Sequence, residues 1–148
     1  MNIAQHVERG GRDFAERPAL IFEGQSFTYA GLDELAGRSA RLLAELGISQ
    51  GDRVALFLPN IPEFVIAYLA IQKLGGIAVS VNARLRRDEV GFVLTDSGAK
   101  AIITTRELRE QVPVEALTVP GYVFIAEGEV GDDLPWQALR ERVAGGMA

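Results

Sequence analysis

Five arginines are the side chains of this sequence with the most chemistry to offer. Arg84, Arg86 and Arg87 follow the apolar run Ile77-Ala78-Val79-Ser80-Val81, and Arg106 and Arg109 follow Ala101-Ile102-Ile103-Thr104-Thr105. If both runs are strands of an open α/β sheet, the arginines stand beyond its carboxyl edge, where such sheets bind ligands. Forked guanidinium groups there suit a phosphate or a carboxylate. The same positions also read as solvated helix-start residues beside Asp88, Glu89 and Glu107, and the pattern leaves both readings open.

Other candidate chemistry is weaker. Thr95-Asp96-Ser97-Gly98-Ala99-Lys100 has the residue types of a phosphate cradle, but it follows a helical pattern and precedes a strand. Phosphate loops follow a strand and use the next helix's N-terminus, so this segment reads as a helix C-cap. There is no Gly-x-Gly-x-x-Gly and no glycine-rich loop running into Lys-Ser or Lys-Thr; the lysines are Lys73 and Lys100. With no cysteine, one histidine (His6) and no Gly-x-Ser-x-Gly elbow, disulfides and thiolate metal sites are excluded and nucleophilic catalysis has no footing. The pairs Asp33-Glu34, Asp88-Glu89 and Asp132-Asp133 are adjacent in sequence, as solvated helix-start and loop charges are. No catalytic residue and no metal ligand is assigned.

Composition sets the frame. A chain of 148 residues with 48% hydrophobic content can bury a core, and a net charge of −5 argues against a nucleic-acid surface. The longest apolar run, Phe64 to Ile71, is far shorter than the roughly 20 residues a spanning helix needs. The first residues lack a basic segment followed by an apolar core, so they do not read as a secretory signal, and cytoplasm is the expected location.

The elements that would position the arginines follow from periodicity. Ile3, Val7 and Phe14 suggest a short helix before Pro18. Ala19 to Phe22 and Ser26 to Tyr29 read as a hairpin turned at Gly24. Thr28 is placed to cap a helix whose apolar positions Leu32, Leu35, Ala36, Ser39, Leu42, Leu43 and Leu46 repeat at three and four residues up to Gly47. Val54 to Leu58 reads as a strand buried on both faces. Pro62 then opens a helix, Phe64 to Ile71, that is apolar nearly all round and so requires cover on two sides. Gly75-Gly76 ends it, Ile77 to Val81 is the next strand, and Val90, Val93 and Leu94 mark a helix closed by Gly98. Ala101 to Thr105 and Tyr122 to Ala126 are further strands, with a brief helix expected over 106–111 and a last one starting at Pro135-Trp136. The alternation predicts an α/β fold with a doubly wound, largely parallel sheet and an N-terminal hairpin, as one partial domain over 1–148 with a weakly ordered tail over 127–148.

Three segments together resemble the opening of an acyl-CoA synthetase of the adenylate-forming superfamily. They are Phe27-Thr28-Tyr29; Gly51-Asp52-Arg53-Val54-Ala55 with Leu58-Pro59-Asn60; and Gly75-Gly76-Ile77-Ala78-Val79 with Asn82-x-Arg84-Leu85. The last ending is more similar to fatty- or aryl-acid CoA ligases than to peptide-synthetase adenylation domains. Ser80 and Ala83 stand where that family often has proline, and Gly31 where it often has glutamate. The resemblance implies the first part of a layered N-terminal domain. The intact parent would use ATP, Mg2+ and CoA to convert a carboxylic acid to its CoA thioester through an acyl-adenylate. The family's phosphate loop and catalytic lysine have no counterpart here, so the segment alone is expected to be inactive and to bind none of these cofactors tightly. By the same resemblance, Arg106 and Arg109 occupy the neighbourhood of contacts to the CoA phosphates. The implied partners are the remainder of the enzyme and the acid substrate. Two rival readings are a non-catalytic α/β interaction module, self-associating through Phe64 to Ile71, and another adenylating enzyme of the peptide-synthetase or luciferase-like kind.

Overall fold

The computed structural model describes residues 18–22, 25–119, 122–127 and 134–135. The helix expected over Ile3 to Phe14 and the tip of the hairpin lie outside them. Strands β1 (Pro18–Phe22) and β2 (Gln25–Thr28) pair antiparallel with Phe22 opposite Gln25, giving the expected hairpin. Strand β2 runs directly into α1 (Tyr29–Glu45), where Thr28 is extended and its Oγ1 accepts a hydrogen bond from the Gly31 N–H at 3.0 Å. That bond satisfies one of the N–H groups a helix start leaves open. Leu32, Leu35, Ala36, Ser39, Ala40 and Leu43 form the buried stripe of α1, and Gly47 leaves the helix at φ 99°.

The remaining elements are β3 (Arg53–Phe57), α2 (Pro62–Lys73), β4 (Ile77–Ser80), α3 (Arg87–Ser97), β5 (Ala101–Thr105), two short 3-10 turns (Arg109–Gln111 and Val114–Ala116), β6 (Val123–Glu127) and β7 (Leu134–Pro135). The five strands β3 to β7 form one parallel sheet in the order β4-β3-β5-β6-β7. Leu56 sits level with Ser80 on one side and Ile103 on the other. Because strand side chains alternate between faces, β3 feeds two cores at once. Val54, Leu56 and Leu58 pack with α1, α2, Ile103 and Phe124, while Ala55 and Phe57 pack with Val90 and Leu94 of α3, Ile102, Val112 and Val123.

Helix α2 finds its second partner within the chain. Ile66, Ala67, Leu69, Ala70 and Ile71 are buried, and Phe64, Val65 and Tyr68 are half-buried against the same core. Its outer side packs along α1, and Lys73 Nζ lies 2.8 Å from Asp33 Oδ1 across that helix pair. This approach lies outside hydrogen-bond geometry, so the attraction is Coulombic. The large apolar side chains exposed among the described residues are Ile77, Phe92 and Val119, none of them on α2. Helix α1 thus supplies one cover of this helix from within the chain, with Phe64, Val65 and Tyr68 left half-buried.

Two expectations are revised. The segment after β5 forms two 3-10 turns on either side of Pro113 in place of one short helix. Pro135, expected at a helix start, belongs to β7, where its backbone pairs with Ile125. β7 is an edge strand two residues long, a place where proline's missing N–H costs no ladder bond. The residues beyond it lie outside those described.

The amino edge of the sheet is fastened by a polar cluster. Lys100 Nζ, just ahead of β5, donates to the Gly47 carbonyl at 2.8 Å and to Asp52 Oδ2, just ahead of β3, at 3.0 Å. The same carboxylate oxygen accepts from the Ser49 N–H at 2.8 Å and from Ser49 Oγ at 3.2 Å. Arg53 Nη1 donates to the Ser97 carbonyl at the end of α3 at 2.8 Å. Partial burial raises the Asp52 pKa, but the Ser49 backbone bond and Lys100 outweigh it and hold the carboxyl below its ordinary 3.8. The Thr95 to Lys100 segment is therefore a helix end, with Gly98 left-handed at φ 68°, and its lysine serves the fold.

Three measurements check this account. A Cβ on Gly47 would meet Tyr122 Oη at 2.7 Å and would sit at a left-handed φ. Gly47→Ala should cost at least about 1 kcal/mol in urea unfolding, and Tyr122→Phe should recover the steric part; equal costs in both backgrounds would refute the clash. For Asp52, a lowered folded pKa means stabilisation that is complete above the ordinary carboxylate range and is lost as pH falls through the folded value. Asp52→Ala should thus lower stability by about 1 kcal/mol at pH 7, with the gap to the parent chain closing below about pH 4. Finally, Thr104 is fully buried and its Oγ1 has no hydrogen-bond partner among the described residues, so Thr104→Val, which swaps that hydroxyl for a methyl, should leave the melting temperature unchanged or raise it.

Candidate ligand-binding site

The carboxyl edge of the sheet is built differently from the amino edge. From β3 the chain goes to β4 on one side and then crosses to β5 on the other, so direction reverses at β3, the arrangement that opens a crevice beyond the strand ends. A cleft of about 610 Å3 lies there. One wall is Leu58, Pro59 and Asn60 from the loop after β3, with Phe64 from the first turn of α2. The other is the 80–84 segment at the end of β4.

Local sequence fixes both walls. The Ile61 N–H bonds the Pro59 carbonyl at 2.8 Å and the Phe64 N–H bonds the Ile61 carbonyl at 3.0 Å, while Pro62 occupies the helix start where no N–H is needed. On the opposite wall the Val81 N–H continues the ladder to the Leu56 carbonyl at 3.0 Å. Asn82 then turns the chain: its Oδ1 accepts from the Arg84 N–H at 2.9 Å and its carbonyl from the Leu85 N–H at 3.0 Å.

The five arginines, alike in sequence, have different places. Arg84 lines the cleft and is exposed, and Arg106 is exposed directly after β5. Neither guanidinium makes a hydrogen bond or ion pair among the described residues. Arg87 is committed to the fold: its Nη1 donates to the carbonyls of Glu110 at 3.0 Å and Val112 at 3.4 Å, and its N–H to Gln111 Oε1 at 2.9 Å. It fastens the 3-10 turns to the start of α3. Arg86 precedes α3 and its N–H bonds Glu89 Oε1 at 3.1 Å, closing that helix start. Arg109 begins the first 3-10 turn, half-buried and engaged with the protein. The fold therefore presents Arg84 and Arg106 at the same edge, beyond the ends of β4 and β5, the two strands that flank β3.

Asn60, Phe64, Ser80 and Asn82 were not singled out as site residues from the sequence. Their signal was position, since all but Phe64 lie at or within three residues of a strand's carboxyl end. The described residues fit anionic groups but not a metal–triphosphate site. No group of three or more His, Cys, Asp or Glu among them could hold a metal ion. Of the lysines, Lys100 is at the far edge of the sheet and Lys73 lies beside Asp33 at the end of α2.

Comparison with known proteins gives the cleft its setting. The model of the AMP-binding enzyme family matches residues 7–142. The crotonobetaine/carnitine–CoA ligase of Citrobacter koseri is 35% identical over 142 residues, which cover 90% of this chain and 27% of that protein. The long-chain-fatty-acid–CoA ligase FadD13 of Mycobacterium tuberculosis is 50% identical over 76 residues, 51% of this chain and 15% of that one. Among solved structures, the N-terminal domain of FACL13 from Mycobacterium tuberculosis superposes with a TM-score of 0.77 at 32% identity, covering 97% of this chain and 36% of that one. The chain spans about a quarter or less of the length of these curated relatives. With nine-tenths of its residues matched by one family model and nearly all of its length superposed on that domain, the chain belongs to the AMP-binding enzyme family.

Proposed function

We propose that this chain is the N-terminal segment of an ATP-dependent acyl-CoA synthetase. In the reaction proposed, a substrate carboxylate oxygen attacks the α-phosphorus of ATP and displaces pyrophosphate. The thiol sulfur of CoA then attacks the acyl carbon, forming the thioester and releasing AMP. The observation that carries this reading is the extent of the match: a protein named as a CoA ligase aligns over 90% of the chain. The segment's share is scaffold and anion binding. Arg84, Arg106 and Arg109 take phosphates of CoA at the carboxyl edge, while the groups that hold ATP and Mg2+ come from the rest of the enzyme, in keeping with the residues present here. The cytoplasm is the location proposed for the intact protein. The rival reading, a free-standing module self-associating through Phe64 to Ile71, is less favoured because α1 packs against that helix.

The decisive assay is acid-dependent exchange of pyrophosphate into ATP. The 148-residue chain should show none, whereas the longer protein that contains it should; exchange by the chain alone would overturn the proposal. In the longer protein, Arg106→Ala and Arg109→Ala should raise KM for CoA roughly three- to tenfold, about the net worth of one ordinary hydrogen bond, and leave the exchange rate unchanged.

A further inference from the structure

We propose that Asn82 is a positioning residue that fixes Arg84 at the rim of the cleft; this rests on the reading above, in which the Arg84 guanidinium meets a phosphate of CoA. Strand β4 ends at Ser80 and the chain must reverse before α3 begins at Arg87. Asn82 alone supplies the two acceptors that close this reversal, Oδ1 for the Arg84 N–H at 2.9 Å and its carbonyl for the Leu85 N–H at 3.0 Å. A side-chain acceptor two residues before the N–H it binds is the geometry that Asn and Asp reach, Ser more weakly, and Ala not at all.

Nothing else among the described residues holds Arg84. Its side chain is exposed and has no intramolecular partner there, in contrast with Arg87, which the 3-10 turns grip at three points. A free arginine carries roughly 2 kcal/mol of rotamer entropy, so the orientation of its backbone is what narrows the search for a ligand. Small misplacements of a binding group are costly, up to about a hundredfold per ångström in favourable cases. Asn82 is itself exposed and part of the cleft wall, so a direct contact with ligand is the competing explanation that the test must separate.

The test is a double-mutant cycle in the full-length protein, with CoA as the varied ligand and melting temperature as the folding control. Asn82→Ala should raise KM for CoA roughly three- to tenfold and have no further effect when added to Arg84→Ala. Asn82→Ser, which keeps a neutral acceptor, should recover most of the loss. In the 148-residue chain, the Arg84 amide should exchange with solvent faster in Asn82→Ala than in Asn82→Ser. An Asn82→Ala effect that persists in the Arg84→Ala background would mean direct contact and overturn the proposal, as would an unchanged KM in Asn82→Ala while Arg84→Ala raises it. If neither variant moves KM for CoA, the assignment of Arg84 to a CoA phosphate fails and this inference falls with it.

Discussion

Burial of β3 on both faces is the constraint on which the rest of this structure depends. Val54, Ala55, Leu56 and Phe57 are each fully inaccessible, and a strand in that position must be flanked by strands at both edges and covered by helices above and below. The β4 and β5 ladders meet the first requirement, and α1 with α2 on one face and α3 with the 3-10 turns on the other meet the second. Burying one Leu, Ile or Phe side chain contributes about 1.5–3 kcal/mol, against about 1 kcal/mol or less for an exposed ion pair. Packing around β3 therefore sets the architecture, and the polar contacts adjust it.

With both faces closed, function is confined to the two ends of the sheet, and the ends are not equivalent. At the amino end Lys100, Asp52, Ser49 and Arg53 satisfy one another and the carbonyls of Gly47 and Ser97. Charge there is spent on holding α1, β3, α3 and β5 together. At the carboxyl end the loops diverge around a cleft, and the guanidinium groups of Arg84 and Arg106 have no partner among the described residues. The same asymmetry disposes of Thr95 to Lys100 as a phosphate loop: its residue types are suitable, but it lies at the end where helices finish and no helix N-terminus faces a ligand.

Much of this was legible in the residues themselves wherever the cause is local. The Thr28 cap, the Gly98 helix stop, the buried stripe of α1 and strand β5 follow from hydrogen bonds or periodicities that span four residues or fewer. The edge that carries the candidate cleft was legible too, since arginines placed after two parallel strands must lie at their carboxyl ends. Pro135 was misjudged because a proline at a strand edge and one at a helix start look the same until the neighbouring strand is known.

The sequence by itself determined most of the elements, their order, the two-faced burial of β3 and the sheet edge that carries the arginines. Tertiary structure alone decided which arginines are free and what covers α2. Arg84 and Arg87 are three residues apart and chemically identical, yet Arg87 is claimed by carbonyls 23 and 25 positions away while Arg84 is left at the cleft. Helix α2 is apolar nearly all round whichever neighbour it has, and only the packing of α1 along it shows that one of its covers comes from within the chain. Short-range hydrogen bonding and side-chain period are written into adjacent residues; pairings across tens of residues depend on how the layers close, which no local pattern encodes.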